Sequence, residues 1–153
     1  PGSHARAHLA PVLRELEGTS MLQALFLNAQ PERNNVLLGD TFERVFGEPF
    51  LKDRSGSARV FYPPGAFAQA NPLAHDESVR RIHAGIAPGA RVLELYAGVG
   101  SIGLGLARTC ALALNEIGRG SLEGLRAGVA ALGGEDSGLR VLEGPAESHT
   151  LAI

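Results

Sequence analysis

The segment most suggestive of chemistry is VLELYAGVGSIGLGLA, residues 92–107, in which an apolar run leads directly into closely spaced glycines. Gly98 and Gly100 let the backbone turn sharply and lie against a ligand at places where a Cβ would collide. Together with Gly103 they match the G-x-G-x-x-G spacing of loops that bind a dinucleotide pyrophosphate. The pattern is short, so it predicts a nucleotide-type ligand but leaves a purely structural turn as an alternative.

Glu94 lies inside the apolar run, just before the glycines, and its charge bears on which ligand the loop holds. A dinucleotide would bring an anionic pyrophosphate to this place, where a nearby carboxylate would repel it. S-adenosyl-L-methionine instead brings an α-ammonium and a sulfonium, and a carboxylate attracts both. Glu94 therefore favours S-adenosyl-L-methionine as the cofactor, and an NAD(P)- or FAD-binding oxidoreductase domain is the alternative.

Glu116 is the second predicted anchor, because it follows the apolar run ALALN and so ends a strand that is expected to be buried. Ligands of open α/β sheets bind at the carboxyl ends of the strands, which would place Glu116 beside Gly98. There its carboxylate could accept hydrogen bonds from both hydroxyls of a ribose. An exposed acid at a strand end is the other interpretation.

These residues require a parallel sheet to bring them together, and the sequence from residue 66 onward predicts one. Strand-like and helix-like segments alternate, which is typical of a parallel, right-handed βαβαβ unit. The predicted elements are strands at 91–96, 111–116 and 139–143 and helices at 101–109 and 119–132. We therefore expect an α/β chain with a partial Rossmann-like sheet, of the class I methyltransferase type, over residues 66–153.

The first part of the chain, residues 5–65, predicts a small α+β module. A helix is expected over 5–17, followed by short antiparallel strands in MLQALFLN, NNVLLG, TFERVFG and ARVFY. A further helix is expected to begin near Pro72 and to end at about Ile86, before Pro88 and Gly89.

Composition narrows the classes of site and partner. The formal net charge of −2 provides no global basic field, so a nucleic-acid partner has to be argued from local residues. A single cysteine, Cys110, excludes an internal disulfide framework and a cysteine-rich metal centre held by this chain alone, and it fits a reducing cytoplasm. No histidine spacing predicts a metal site, and no apolar run is long enough to predict a membrane span.

Three segments in order, FAQAN at 67–71, PGARVLELYAGVGSIGLGLA at 88–107 and NEIGRGSLEGLRAGVAALGG at 115–134, resemble the RNA uracil-5 methyltransferase family. In that family a Phe-x-Gln-x-Asn motif precedes the cofactor-binding strand and loop. The upstream stretch NNVLLGDTFERVFGEPFLKD also resembles the small central module of those enzymes. The resemblance implies an S-adenosyl-L-methionine-dependent enzyme that methylates C5 of uracil in ribosomal or transfer RNA.

The resemblance also assigns individual roles. Gln69 would contact the methionine end of the cofactor, Tyr96 and Gly98 would line the pocket, and Glu116 would hold the ribose. The alternative for Gln69 and Asn71 is that their amide side chains cap backbone groups of the loop. Ala97 departs from the family's usual cysteine. A second departure is Pro145, where the family has an aspartate that approaches the adenine and where Glu147 is a nearby substitute.

The family's chemistry needs a cysteine thiolate that adds to C6 of uracil and a base that removes the C5 proton. The family's segments that carry these groups do not occur in the sequence, and Cys110 is interpreted as a packing residue. We therefore expect no catalytic residue in this chain, which would supply the cofactor-binding part of a longer enzyme and would be inactive alone. A non-catalytic RNA-binding module is the alternative, and an exposed apolar sheet edge predicts possible self-association.

Overall fold

The computed structural model describes residues 3–134 and 138–149, which divide into two compact units between Pro49 and Phe50. The sequence places its boundary later, near residue 65. The difference is the strand pair between residues 51 and 62, which packs against a helix of the second unit instead of joining the strands of the first.

The first unit contains helix α1 (Ser3–Glu17) and an antiparallel pair of strands, β1 (Ala24–Ala29) and β2 (Thr41–Gly47). The segment NNVLLG, predicted as a strand, is instead part of the connection between them. The Asn28 side chain organises this connection: its amide donates to the carbonyl oxygens of Gly39 (2.7 Å) and Thr41 (2.9 Å), and its oxygen accepts from the Gly39 N–H (2.9 Å). Side-chain bonds thus replace the strand pairing that was expected there.

The second unit begins with a hairpin of strands β3 (Leu51–Ser55) and β4 (Ala58–Tyr62), joined by the two residues Gly56 and Ser57. Gly56 has φ +55°, a left-handed conformation that short hairpin turns require. Ala58 and Val60 are almost fully buried, so one face of the hairpin belongs to the core.

Helix α2 (Pro72–Ala84) begins where the sequence predicts and ends two residues earlier than expected. The Asn71 side chain accepts a hydrogen bond from the Ala74 N–H (3.0 Å), and Pro72 occupies the first turn, where a missing N–H costs nothing. Loop capping, the alternative considered for Asn71, is therefore what its side chain does.

A parallel sheet of strands β5 (Arg91–Glu94), β6 (Ala111–Glu116) and β7 (Leu139–Glu143) forms the centre of the unit, in the order β5-β6-β7. The predicted α/β class and the three parallel strands are confirmed. Within the described residues β5 and β7 each have one strand neighbour, so both outer edges of the sheet are unpaired there. No helix of the described chain is long and apolar enough to cross a membrane.

The helix predicted over 101–109 is wrong, because the structure has only a short 3₁₀ helix, Gly103–Leu106, at that place. Glycine lowers helix propensity by about 1 kcal/mol per residue relative to alanine, and this segment contains Gly103 and Gly105. The turn after it closes with the N–H groups of Thr109 and Cys110, which both donate to the Leu106 carbonyl (2.9 Å each).

Helix α3 (Arg119–Ala131) packs against the hairpin, and glycines at the contact make this close approach possible. A Cβ on Gly124 would overlap the carbonyl oxygen of Phe61 and lie 2.8 Å from Val99 Cγ1, and one on Gly128 would lie 2.5 Å from Leu104 Cδ1. The core joins the hairpin, the sheet and α3, and its buried members are Ala58, Val60, Ala97, Val99, Leu104, Ala107, Leu112, Leu114, Leu125, Val129 and Leu139.

The close contact between α3 and the hairpin predicts opposite effects for two glycines of one helix. Gly124→Ala should lower the free energy of unfolding by about 2 kcal/mol, because its methyl group forces backbone apart. Gly120→Ala should raise it by about 0.5 kcal/mol, because a Cβ there meets no atom within 4 Å and alanine favours the helix. Urea unfolding of both variants tests this, and equal effects would contradict the packing described.

Candidate cofactor site

The chain leaves β5 through a turn in which three alternate residues adopt left-handed backbone conformations. Their φ angles are +58° at Tyr96, +61° at Gly98 and +82° at Gly100. Glycine takes this conformation freely, whereas for tyrosine it costs roughly 1–2 kcal/mol. Tyr96 is also 70% exposed, so its side chain stands out from the turn at the carboxyl edge of the sheet.

The two loop glycines have different physical reasons to be glycine. A Cβ on Gly100 would lie 2.7 Å from atoms of both Leu104 and Leu125, so this position is closed by packing. A Cβ on Gly98 would meet nothing within 4 Å. The backbone at Gly98 therefore borders open space, which is where a ligand could lie against it.

Glu116 ends β6 and ties the glycine loop to it. Its Oε2 accepts a hydrogen bond from the Gly98 N–H (2.7 Å), and its Oε1 accepts from the N–H groups of Ile117 (2.8 Å) and Gly118 (2.6 Å). The structure thus places Glu116 beside Gly98, as the sequence predicts. A carboxylate offers about four lone-pair positions, so about one remains for a ligand while these three bonds persist.

Glu94 lies underneath the loop and is mostly buried. The Gly103 N–H lies near its carboxylate and favours the ionised form, and a Cβ on Gly103 would overlap Oε2, so this glycine makes room for the acid. Oε2 itself is buried and has no hydrogen-bond partner among the described residues. Desolvation raises the pKa of Glu94 to about 7, and the Gly103 N–H only partly opposes that shift.

Gln69 lies on the exposed segment between the hairpin and α2. In the part of the chain that the structure describes, its side chain makes no hydrogen bond that would fix its direction. Of the predicted cofactor residues, the structure joins Glu116 to Gly98 directly and places Glu94, Tyr96 and Gly100 along the same turn. Gln69 is not joined to them.

Three residues that sequence reasoning did not assign to the site hold the far limb of the loop. Ser55 is buried, and its hydroxyl donates to the Ser101 carbonyl at 2.5 Å. Because that hydroxyl has one proton, Nε2–H of His75 is the donor in the 3.1 Å bond to Ser55 Oγ. His83 Nε2–H donates to the Ile102 carbonyl (2.8 Å). The helical spacing of both histidines was visible, but the partners lie 19 or more residues away.

Asn115 is a second feature that the sequence did not reveal. It is 1% exposed, and its side-chain amide donates to the carbonyl oxygens of Leu142 and Gly144 (2.9 Å each). The Gly144 N–H donates to the Glu116 carbonyl at 3.1 Å. These bonds fix the chain leaving β7 next to Glu116, so the acid is held between two neighbouring strand ends.

Cys110 is partly buried at the start of β6, with Sγ 3.8 Å from the Ala87 carbonyl oxygen. This weak contact agrees with a packing role. Among residues 3–134 and 138–149, no three histidine, cysteine or acidic side chains cluster in a way that could hold a metal ion.

No protein-family model matches the chain, but curated relatives do. An uncharacterized RNA methyltransferase of Protochlamydia amoebophila is 32% identical over 87 residues, covering 57% of this chain and 23% of that relative. The tRNA (uracil(54)-C(5))-methyltransferase of Pyrococcus abyssi is 27% identical over 85 residues, covering 56% of this chain and 20% of it. The predicted resemblance to RNA uracil-5 methyltransferases is confirmed, and the chain spans about a fifth to a quarter of these relatives.

A solved structure supports the fold. The tRNA (uracil-54, C5)-methyltransferase of Pyrococcus abyssi, crystallised with S-adenosyl-L-homocysteine, superposes with a TM-score of 0.68 at 18% identity, covering 81% of this chain and 30% of that one. Trm5b of the same organism gives 0.55 at 15% identity, covering 94% of this chain and 43% of its own. The partial methyltransferase-like fold is thus shared with these proteins.

The Ser55 network predicts a specific stability difference. Ser55→Ala leaves the partly buried Ser101 carbonyl without its hydroxyl donor, which should lower the free energy of unfolding by about 1–3 kcal/mol. Ser78→Ala is the matched control, because the Ser78 hydroxyl is exposed and bonds only within α2, to Ala74. Guanidinium unfolding measures both variants. If Ser55→Ala is no more destabilising than Ser78→Ala, the network does not hold the loop.

The raised pKa of Glu94 predicts how stability depends on pH. The folded chain keeps a proton on Glu94 up to about pH 7, whereas the unfolded chain loses it near the ordinary value of 4.5. The free energy of unfolding should therefore fall as pH rises through this window. Glu94→Gln should remove that part of the slope in urea titrations at several pH values, and an unchanged slope would contradict the burial of the acid.

Proposed function

We propose that this chain binds S-adenosyl-L-methionine at the carboxyl edge of its sheet, and that the whole protein transfers the methyl group to C5 of uracil in RNA. The chain's similarity to proteins named as RNA methyltransferases supports the reaction class. Residues 66–153 would form the first part of the cofactor-binding domain. The whole protein would hold the target, which is ribosomal or transfer RNA. The reducing cytoplasm is the compartment in which it would act.

The observation that carries the cofactor proposal is the buried, unpartnered oxygen of Glu94 beneath the loop. A cationic ligand nearby would favour the ionised carboxylate and so recover part of its desolvation cost. An anionic pyrophosphate in the same place would keep Glu94 protonated or be repelled by it. The residues present therefore fit a ligand with an ammonium and a sulfonium better than a dinucleotide.

Glu116 would hold the ribose in this arrangement. The free lone-pair position is on Oε2, which would accept from a ribose hydroxyl beside the open space that a Cβ on Gly98 would enter. Tyr96, at the exposed side of the turn, would cover the ligand, and Gln69 would reach its methionine end. Gly100 would act indirectly, by letting the loop close on Leu104 and Leu125.

When bound, S-adenosyl-L-methionine supplies an electrophilic methyl group on its sulfonium. What this chain contributes is binding and orientation: the loop fixes the cofactor, and the hydrogen bonds at Ser101, Ile102 and Glu116 fix the loop. The uracil carbon becomes nucleophilic only after a thiolate adds to the ring, and Cys110 is placed for packing instead. We therefore expect cofactor binding and no turnover by these 153 residues alone.

The ribose role of Glu116 can be separated from its role in anchoring Gly98. In calorimetry the chain should bind S-adenosyl-L-homocysteine about tenfold or more tightly than its 2′-deoxyribose analogue, because a hydrogen bond to a charged group is worth about 1.5–3 kcal/mol. Glu116→Ala should remove that difference between the two ligands. Glu123→Ala, which removes an exposed acid of α3, should leave it intact.

Each alternative has its own outcome. If Glu116→Ala weakens both ligands by one factor and the difference persists, Glu116 only anchors the loop. Binding of NAD without binding of S-adenosyl-L-homocysteine would overturn the cofactor in favour of an oxidoreductase domain. Binding of RNA with neither small molecule would indicate a non-catalytic RNA-binding module.

A further inference from the structure

The hairpin β3–β4 presents one face to the core and a different one to solvent. Residues directly opposite each other in an antiparallel pair point to the same side, and sides alternate along each strand. Ser55, Ala58 and Val60 point inward and are buried. The other side is formed by Lys52, Arg54, Arg59 and Phe61, with Phe50 packed on Phe61, and is termed the arginine face below.

Two arginines meet on this face. Arg54 and Arg59 are direct cross-strand partners, both exposed. Like charges opposite each other destabilise a strand pair, so the Arg54–Arg59 pair lowers the stability of the hairpin. Replacing either arginine by a neutral polar residue would relieve this repulsion. Neither one forms an ion pair within residues 3–134 and 138–149, unlike Arg80 and Arg81 of α2, which share the carboxylate of Glu77.

The positive charge continues beside the hairpin. Arg59 and Arg108 both line a groove of about 250 Å³ between β4, the 3₁₀ helix and α3. Arg108 is also exposed and has no ion pair in the described part of the chain. Next to the two cross-strand arginines, Phe61 packs edge-to-face on Phe50, with ring centroids 6.0 Å apart. The face therefore combines unpaired guanidinium groups with an aromatic pair.

We propose that the arginine face, extended by Arg108, binds the sugar-phosphate backbone of the RNA substrate, an inference that rests on the RNA methyltransferase function proposed above. Guanidinium groups match phosphate geometry, and positively charged surfaces that carry aromatic side chains bind single-stranded nucleic acid. The net charge of −2 gives the chain no general attraction for RNA, so a local patch has to supply it. A protein partner with an acidic surface is the competing occupant.

The position of the face connects RNA binding to the cofactor loop. Arg54 points outward, and the next residue, Ser55, points inward and donates to the Ser101 carbonyl. The strand that would hold the RNA backbone is thus the strand that supports the far limb of the loop. An RNA held on this face would lie on the same hairpin that positions the cofactor.

The test compares two variants with the same loss of charge. Arg54→Gln/Arg59→Gln removes the cross-strand pair, and Arg80→Gln/Arg81→Gln removes two exposed arginines of α2. Fluorescence anisotropy with a labelled RNA stem-loop measures affinity over a range of salt. The first variant should bind about tenfold more weakly at low salt and show a salt slope smaller by about 2, whereas the second should resemble the unmodified chain.

A structural readout accompanies the binding measurement. Arg59→Gln alone should raise the midpoint of thermal unfolding by about 1–3 °C, because it relieves the like-charge pair. If the variant is more stable and yet binds RNA more weakly, the lower affinity comes from the loss of a binding group, because the fold is intact. Stability that falls together with RNA affinity would contradict the inference.

Other outcomes also decide. Equal loss in both double variants would show that only overall charge attracts RNA, and an unchanged affinity in the first would leave the face to an acidic protein partner; either result overturns the proposal. Titration with S-adenosyl-L-homocysteine on the same samples separates the two hypotheses. Cofactor binding without an effect of Arg54 and Arg59 on RNA would refute the arginine face and leave the cofactor site standing.

Discussion

The bond between the Glu116 carboxylate and the Gly98 N–H joins the end of one parallel strand to the turn that follows its neighbour. It requires β5 and β6 to be parallel and in register, and it requires a glycine whose backbone can turn its N–H toward the acid. Asn115 keeps the end of β7 against the same place, so three strand ends are held together by one acid and one amide. A Cβ on Gly98 would meet no atom within 4 Å, so the edge of the sheet is open beside these polar groups.

The other limb of the loop is held from outside the sheet. Ser55 from the hairpin and His83 from α2 donate to consecutive carbonyl groups, and Glu94 lies below the loop against Gly103. Elements that precede the sheet in sequence therefore hold one limb of the loop, and the end of β6 holds the other. The hairpin and the capped helix α2, which come before the first parallel strand, thus have a role in holding the loop. The glycines of α3 lie where the hairpin backbone approaches that helix.

The sequence predicted best what depends on nearest neighbours. The bounds of β6 and β7 match because short apolar runs between helical patterns form buried parallel strands, and Glu116 falls beside Gly98 because carboxyl ends share one edge. NNVLLG was predicted wrongly because its apolar residues resemble a strand, although the Asn28 side chain takes the backbone bonds that a partner strand would need. The partners of Ser55 and His83 could not be predicted, since they depend on how the hairpin and α2 pack.

The central claim is that S-adenosyl-L-methionine binds against Gly98 and Glu116. Amide NMR of the ¹⁵N-labelled chain during titration with S-adenosyl-L-homocysteine tests it most directly, because the N–H groups of Gly98, Ile117 and Gly118 all donate to the acid that would receive the ribose. The account predicts that these three signals shift together and saturate with the ligand. Saturable binding that leaves all three unchanged, or no binding, would contradict it.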